Sequence, residues 1–188
     1  RIDVDASSGF QVTPDALTAA WTKRSRGLLL GSPGNPTGAL VSRKRLKALI
    51  DVVHDRGGLF LLDEIYQGLI YGDSQPEYRT GLSVCPDIFV LNSFSKYFGM
   101  TGWRLGWMVV PESCIDGVSR LAQNLFISPS SIAQRAALAA FDCQDAVVAM
   151  RRAFLGRRDV LAARLREIPD VHFAMPDGAF YLMLDCRD

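Results

Sequence analysis

Histidine is nearly missing from this sequence: His54 and His172 are the two among 188 residues. His54 falls on a surface-helix pattern, His172 lies in a late apolar run, and neither neighbours a G-x-S-x-G elbow. A hydrolase triad therefore has little support, and with no histidine pair a metal site has none. Paired cysteines are missing too. Cys85, Cys114, Cys143 and Cys186 lie far apart with no C-x-x-C among them, which argues against a disulfide framework or zinc site and fits reduced thiols in a cytoplasmic protein. Charge of one sign is balanced away: 21 basic residues meet 20 acidic ones, a net charge of +1. Neither nucleic acid nor an anionic membrane has an electrostatic footprint to bind. No run approaches the roughly 18 apolar residues of a membrane span, and no charged-then-apolar leader pattern is present. Finally, the glycine-rich stretch 31–38 lacks both the lysine of a phosphate loop and the G-x-G-x-x-G spacing; alone it reads as a turn.

What is present is a core-forming chain, 48% hydrophobic and 22% charged, sized for about one domain and a piece of another. Apolar runs alternate with helical patterns. Thr13-Pro14-Asp15 carries the cap, first-turn proline and first-turn acid of a helix expected to reach about Arg26. Leu28–Leu30 reads as a short buried strand. A second helix begins near Ser42, with Leu46, Leu49, Ile50 and Val53 on one stripe and Gly57-Gly58 as its stop. Leu59–Leu62, Ile88–Leu91 and Leu105–Val110 read as further strands. Helices follow with Ile115, Val118, Leu121, Ala122 and Leu125 on one face, then over about 131–141, then over about 145–167 with Val147, Met150, Phe154, Leu161 and Leu165 inward. Val171–Phe173 and Phe180–Leu184 are expected to be strands of a smaller domain.

Short apolar strands alternating with helices predict an α/β fold, a mostly parallel sheet sandwiched by helices. Ligands of such sheets sit at the carboxyl ends of the strands. The first three strands run into Asn35, into Asp63 with Tyr66, and into Ser93 with Lys96, so these polar residues are expected to converge on one edge.

The segment from Ser93 to Gly106, Ser-Phe-Ser-Lys-Tyr-Phe-Gly-Met-Thr-Gly-Trp-Arg-Leu-Gly, resembles the cofactor-lysine signature of class I/II aminotransferases, pyridoxal-5′-phosphate (PLP) enzymes of fold type I. Asn35-Pro36-Thr37-Gly38 resembles that family's N-P-T-G turn and Asp63-Glu64-Ile65-Tyr66 its D-E-x-Y segment. Pro176–Tyr181 is similar to the stretch opening its small domain. The resemblance implies a role for each matching residue. Lys96 would hold the PLP aldehyde as an imine and move the substrate α-proton. Asp63 would keep the pyridine nitrogen protonated. Tyr66 and Asn35 would hydrogen-bond the phenolic oxygen, and Ile65 would pack on the ring. Arg104 would bind the phosphate through its planar fork, helped by Ser93 and, more weakly, Ser95. Glu64 receives no role, and the arginines of the last helix read as a solvated face.

The resemblance further implies an amino acid and a 2-oxo acid as substrates and a homodimer as the assembly. Family members are roughly twice this length, and the chain, which starts at Arg1 and stops at Asp188, is expected to be a fragment inactive by itself. Residues 1–145 would be the PLP-binding domain, its N-terminal part missing. Residues 146–188 would be a linking helix and the start of a smaller α+β domain. Where one aspartate-specific subgroup places an arginine for the side-chain carboxylate, this sequence reads Ser128-Pro129-Ser130-Ser131. Two other readings stay open: a PLP-dependent carbon–sulfur β-lyase on the same scaffold, and an effector-sensing domain of a transcription regulator, which would need a helix-turn-helix upstream of Arg1.

Overall fold

The structure is a computed structural model and describes residues 1–71 and 80–186. Helix α1 (Pro14–Ala20) starts as its sequence dictates: the Thr13 hydroxyl accepts the Ala16 N–H at 3.1 Å and Pro14 occupies the first turn. It stops well short of Arg26. Trp21 is extended, and Thr22 and Ser25 bond to each other and to local backbone instead of continuing the helix, as short hydroxyl side chains tend to do.

Strand β1 (Gly27–Gly31) leads to α2 (Arg43–His54), capped by Ser42, whose hydroxyl accepts the Arg45 N–H at 3.2 Å. Then come β2 (Leu59–Asp63), β3 (Phe89–Ser93) and β4 (Gly106–Val109). Helices α3 (Ile115–Leu125), α4 (Ser131–Ala140) and α5 (Gln144–Leu165) complete the described elements beyond short 3-10 turns. The sheet order is β1-β2-β3-β4. The first three strands are parallel, whereas β4 returns antiparallel along β3 with Gly106 opposite Ser93. This is the expected α/β architecture, a mixed sheet flanked by helices.

The main core forms where the α2 stripe of Leu46, Leu49, Ile50 and Val53 meets Phe60, Leu62, Ile88 and Val90 of the sheet region. Each fully buried side chain there contributes about 1.5–3 kcal/mol of transfer free energy. On the segment after β3, Phe94, Met100 and Leu105 pack on Ala133 and Ala137 of α4, small residues that let the helix approach closely. Aromatic contacts of Phe94 with Phe98 and Trp107, both with ring centroids at 5.1 Å, fix that segment.

Three expectations need correction. The α3 stripe is not covered: Leu121 and Leu125 are 61% and 76% exposed. Along α5 only Val147 and Ala162 are buried, Met150, Phe154 and Leu165 are half-buried, and Leu161 is exposed. An apolar stripe reports a face able to pack: on α5 it is met only in part, where Met150 and Phe154 pack against the Tyr66–Ala179 cluster and Phe154 stacks on Phe180 at 5.4 Å, while Leu121, Leu125 and Leu161 stay exposed. Nor do residues 171–173 and 180–184 form strands. A single antiparallel bridge joins His172 to Asp185, and another joins Ile70 to Gly178. Apolar runs become strands only when a partner ladder takes up their backbone groups. Among the described residues, no helix is long and apolar enough to cross a membrane.

Candidate active site

Because β1, β2 and β3 run in parallel, their carboxyl ends open on the same edge. After β1 the chain enters a tight turn in which Gly34 N–H bonds to Ala39 O at 2.9 Å and Gly38 N–H to Gly34 O at 2.8 Å. The buried Ser32 hydroxyl accepts the Val41 N–H at 3.2 Å. This turn holds Asn35 at its exposed tip. After β2 the Asp63 carboxylate accepts the Ile65 N–H at 2.9 Å, an Asx-type bond that bends the chain and delivers Tyr66.

Tyr66 is the centre of the cluster. It is 4% exposed, and its hydroxyl lies 2.8 Å from that of Tyr181. Burial, then the Tyr181 hydroxyl and the Asp63 charge, hold the Tyr66 phenol well above its ordinary 10.0; a hydrogen bond from the Asn35 side chain works against them. Tyr66 is therefore neutral, and a donor, across the ordinary pH range. The Lys96 ammonium, on the turn after β3, lies 5.8 Å from the Tyr66 ring centroid and 5.5 Å from that of Phe180, within cation–π range of both. Ile65 packs against the same cluster with Tyr97 and Tyr181.

The structure thus brings together Asn35, Asp63, Ile65, Tyr66 and Lys96. Ser93 and Arg104 are engaged differently. The Ser93 hydroxyl donates to Leu105 O at 3.0 Å and accepts from Ser95 N–H at 3.0 Å. Ser95 is buried, its carbonyl taking the Thr101 hydroxyl at 2.8 Å. Arg104 has a left-handed backbone, φ 52°, and its exposed guanidinium donates to Thr101 O at 2.9 Å. These residues shape the 93–106 loop with their own polar atoms.

Sequence reasoning gave Phe180, Tyr181 and Glu64 no role in the site. The first two come from residues 177–181, which lie against the site. Asp177 and Gly178 N–H both bond to Gly38 O, Ala179 N–H bonds to Leu69 O, and the Tyr71 hydroxyl donates to Ala179 O. This approach requires glycine: a Cβ at Gly38, φ +67°, would lie 2.4 Å from Pro176 Cβ. Burial pushes the Tyr71 phenol up to about 12, against the opposing charges of Arg158 and Arg151. Glu64 is buried at 2% exposure, its carboxylate accepting Gly81 N–H at 2.6 Å and the Thr80 hydroxyl at 2.9 Å. Its signal was available in the alternation of side chains along β2 past its end, which turns Glu64 away from the face that Asp63 shows.

The α5 arginines are only partly a solvated face. Arg158 donates to Pro176 O at 2.9 Å and stacks 5.1 Å from the Tyr71 ring centroid, securing the same 176–181 stretch. Beside it a cavity of about 240 Å³ is lined by Phe154, Arg157, Arg158, Phe180 and Tyr181 among others. A roomier cavity of about 720 Å³, between residues 4–10 and 172–186, shares no residue with the lysine cluster. No group of three or more metal-ligating side chains occurs among the described residues.

The chain resembles known proteins along nearly its whole length. The family model for aminotransferase class I and II matches residues 1–188. The chain is 38% identical over 184 residues to an aspartate aminotransferase of Geobacillus stearothermophilus, covering 95% of this chain and 46% of that protein. It is 34% identical over 182 residues to an aspartate aminotransferase of Bacillus subtilis, with coverage of 95% and 46%. Among solved structures, an aminotransferase from Mycobacterium tuberculosis superposes with a TM-score of 0.90 at 33% identity, covering 97% of this chain and 47% of that one. The chain spans about half the length of the curated relatives it matches.

Proposed function

As the chain belongs to the class I and II aminotransferase family, we propose that it forms the PLP-binding part of an enzyme moving an amino group between an L-amino acid and a 2-oxo acid. The observation that carries this reading is the neutral Tyr66 hydroxyl, backed by Asn35 and Tyr181, with the Lys96 amine 5.8 Å from its ring and the Asp63 charge acting on it. An amine, a carboxylate and a hydrogen-bonded phenol on one sheet edge match the chemistry of the PLP aldehyde, ring nitrogen and phenolic oxygen, so the residues present fit the cofactor.

When bound, PLP supplies a carbonyl carbon that amines attack and a ring that accepts the electron pair left by a broken Cα–H bond. Lys96 would hold that carbonyl carbon covalently and, once released, act as the base that takes the substrate α-proton. Asp63 would keep the ring nitrogen protonated by its charge. Tyr66 and Asn35 would donate to the phenolic oxygen, and Ile65 would cover a ring face. Arg104, Ser93 and Ser95 would bind the phosphate, Ser93 and Arg104 by exchanging their present bonds to loop carbonyls for phosphate oxygens. Residues 1–145 would form the PLP-binding domain, and 146–188 the linking helix and start of a smaller one. A cytoplasmic homodimer belongs to the same reading. The relatives' names make L-aspartate a natural first substrate beside L-glutamate.

The test is the visible absorption of the PLP-loaded protein. An amino acid should abolish the band that depends on Lys96, a 2-oxo acid should restore it, and Lys96→Ala should show neither, with turnover down by about 10²–10⁴-fold or more. A band unmoved by any amino acid, or release of ammonia and pyruvate, would refute amino-group transfer.

A further inference from the structure

We infer that Tyr181 is a positioning residue for Tyr66: it fixes the direction in which the Tyr66 hydroxyl donates, and through it the proton affinity of the Lys96 nitrogen in the PLP-loaded protein. The inference rests on the PLP reading above.

A phenol carries one proton, and two phenols 2.8 Å apart can share a bond in either direction. If Tyr66 donates to Tyr181, its proton is lost to any ligand at the sheet edge. If Tyr181 donates to Tyr66, the Tyr66 proton is free to point at the phenolic oxygen of the cofactor, and the two bonds in series strengthen each other. An anionic oxygen there selects the second arrangement, because a charge-assisted bond outweighs a neutral one.

The fold presents the Tyr181 hydroxyl deliberately. Ala179 N–H bonds to Leu69 O at 2.8 Å and Gly178 N–H to Gly38 O at 3.0 Å, so the residues just before Tyr181 are tied to two of the loops that build the site. The Tyr181 ring meets Tyr66 edge-on, centroids 5.7 Å apart and planes at 79°. Next to it, Phe180 lies 5.5 Å from the Lys96 ammonium. The groups facing Tyr66 are Asn35 from the turn after β1, Asp63 from the end of β2, Lys96 from the turn after β3, and Tyr181, with Tyr97 packed on the same cluster. Of these, Tyr181 places a second hydroxyl 2.8 Å from the Tyr66 oxygen.

A stronger donor on the phenolic oxygen withdraws negative charge from beside the Lys96 nitrogen and lowers that nitrogen's proton affinity. Tyr181→Phe, which keeps the ring and removes the hydroxyl, should therefore raise the pH midpoint of the Lys96-dependent absorption band. The rise should be roughly half a unit to one unit, the size of one lost neutral hydrogen bond. Tyr66→Phe should raise it further, and adding Tyr181→Phe to Tyr66→Phe should change nothing, since the effect passes through Tyr66. The experiment is a pH titration of the visible spectrum of the four PLP-loaded proteins, with near-ultraviolet circular dichroism to show that packing is kept. An unchanged or lowered midpoint in Tyr181→Phe, or a full shift persisting in the Tyr66→Phe background, overturns the inference while leaving the cofactor reading intact. A wild-type protein with no Lys96-dependent band overturns both.

Discussion

Asp63 and Glu64 are neighbours with opposite fates. Asp63 ends β2 on the edge shared with Tyr66, while Glu64 turns inward and accepts from the Thr80 hydroxyl and the Gly81 N–H. Desolvation raises the Glu64 carboxyl above its ordinary 4.5, opposed by the bonds from Gly81 and Thr80. The folded protein therefore binds this proton more tightly than the unfolded chain does. The stability this contributes is complete below pH 4.5 and is lost as pH rises through the raised value. Glu64→Gln keeps an oxygen for Gly81 N–H but no charge, so its denaturation midpoint should fall less from pH 4.5 upward than that of the wild type; parallel curves in urea would refute this. Glu64→Ala, which strands the Gly81 and Thr80 donors, should cost about 1–3 kcal/mol at any of these pH values. At this scale the motif made Asp63, Tyr66 and Lys96 legible, because in the proposed reading each of the three would meet a chemical partner on PLP. Tyr181 escaped because its partner, Tyr66, is brought to it only by folding; the inward turn of Glu64 could be read from strand alternation, but its partners Gly81 and Thr80 could not.

Among the elements, α2 is the one that its periodicity described fully. Leu46, Leu49, Ile50 and Val53 are all 0–1% exposed, and Leu49→Ala should destabilise by about 2–5 kcal/mol in urea denaturation. The same pattern misled at α3, where Leu121 and Leu125 stay exposed, and in part at α5, where Phe154 stacks on Phe180 but Leu161 is exposed. Strand positions were legible where flanking strands complete a ladder, at β1 to β4. They were not at 171–173 and 180–184, where the described backbone pairing includes the His172–Asp185 bridge and, just upstream, the bonds of 177–179 to Gly38, Leu69 and Tyr71, but no ladder. Glycine decides that last contact. At Gly38 a methyl group would press on Pro176 and on Gly178 O, 2.6 Å away, in a left-handed backbone. Gly38→Ala should therefore push residues 176–181 off the site, cost about 1–3 kcal/mol, and weaken PLP binding measured by fluorescence quenching. Unaltered PLP affinity would show that the stretch is not part of the site wall.

For the whole molecule, the parallel order of β1, β2 and β3 is what turns separated stretches of sequence into one surface. Asn35, Asp63 with Tyr66, Lys96 and Phe180 with Tyr181 come from four segments, and in the unfolded chain they have no reason to meet. A ligand held by all four binds the folded state alone, so it must raise stability by mass action. At free PLP 100-fold above its dissociation constant the gain is about 2.7 kcal/mol. At roughly 2–4 °C per kcal/mol for a chain of about 150–250 residues, that is about 5–10 °C in Tm. Removing PLP should lower Tm by that amount in thermal denaturation. Lys96→Ala should lose part of the gain, because the covalent hold is gone while the ring and phosphate contacts remain. Pyridoxal without its phosphate should stabilise the wild type less than PLP does, and Arg104→Ala should narrow that gap, because the exposed guanidinium, now bonded to Thr101 O, is the group assigned to the phosphate. If pyridoxal and PLP stabilise the wild type equally, Arg104 binds no phosphate and its bond to Thr101 is its whole role. If the gap is present and Arg104→Ala closes it, the 93–106 loop rearranges on loading and gives up that internal bond to the cofactor.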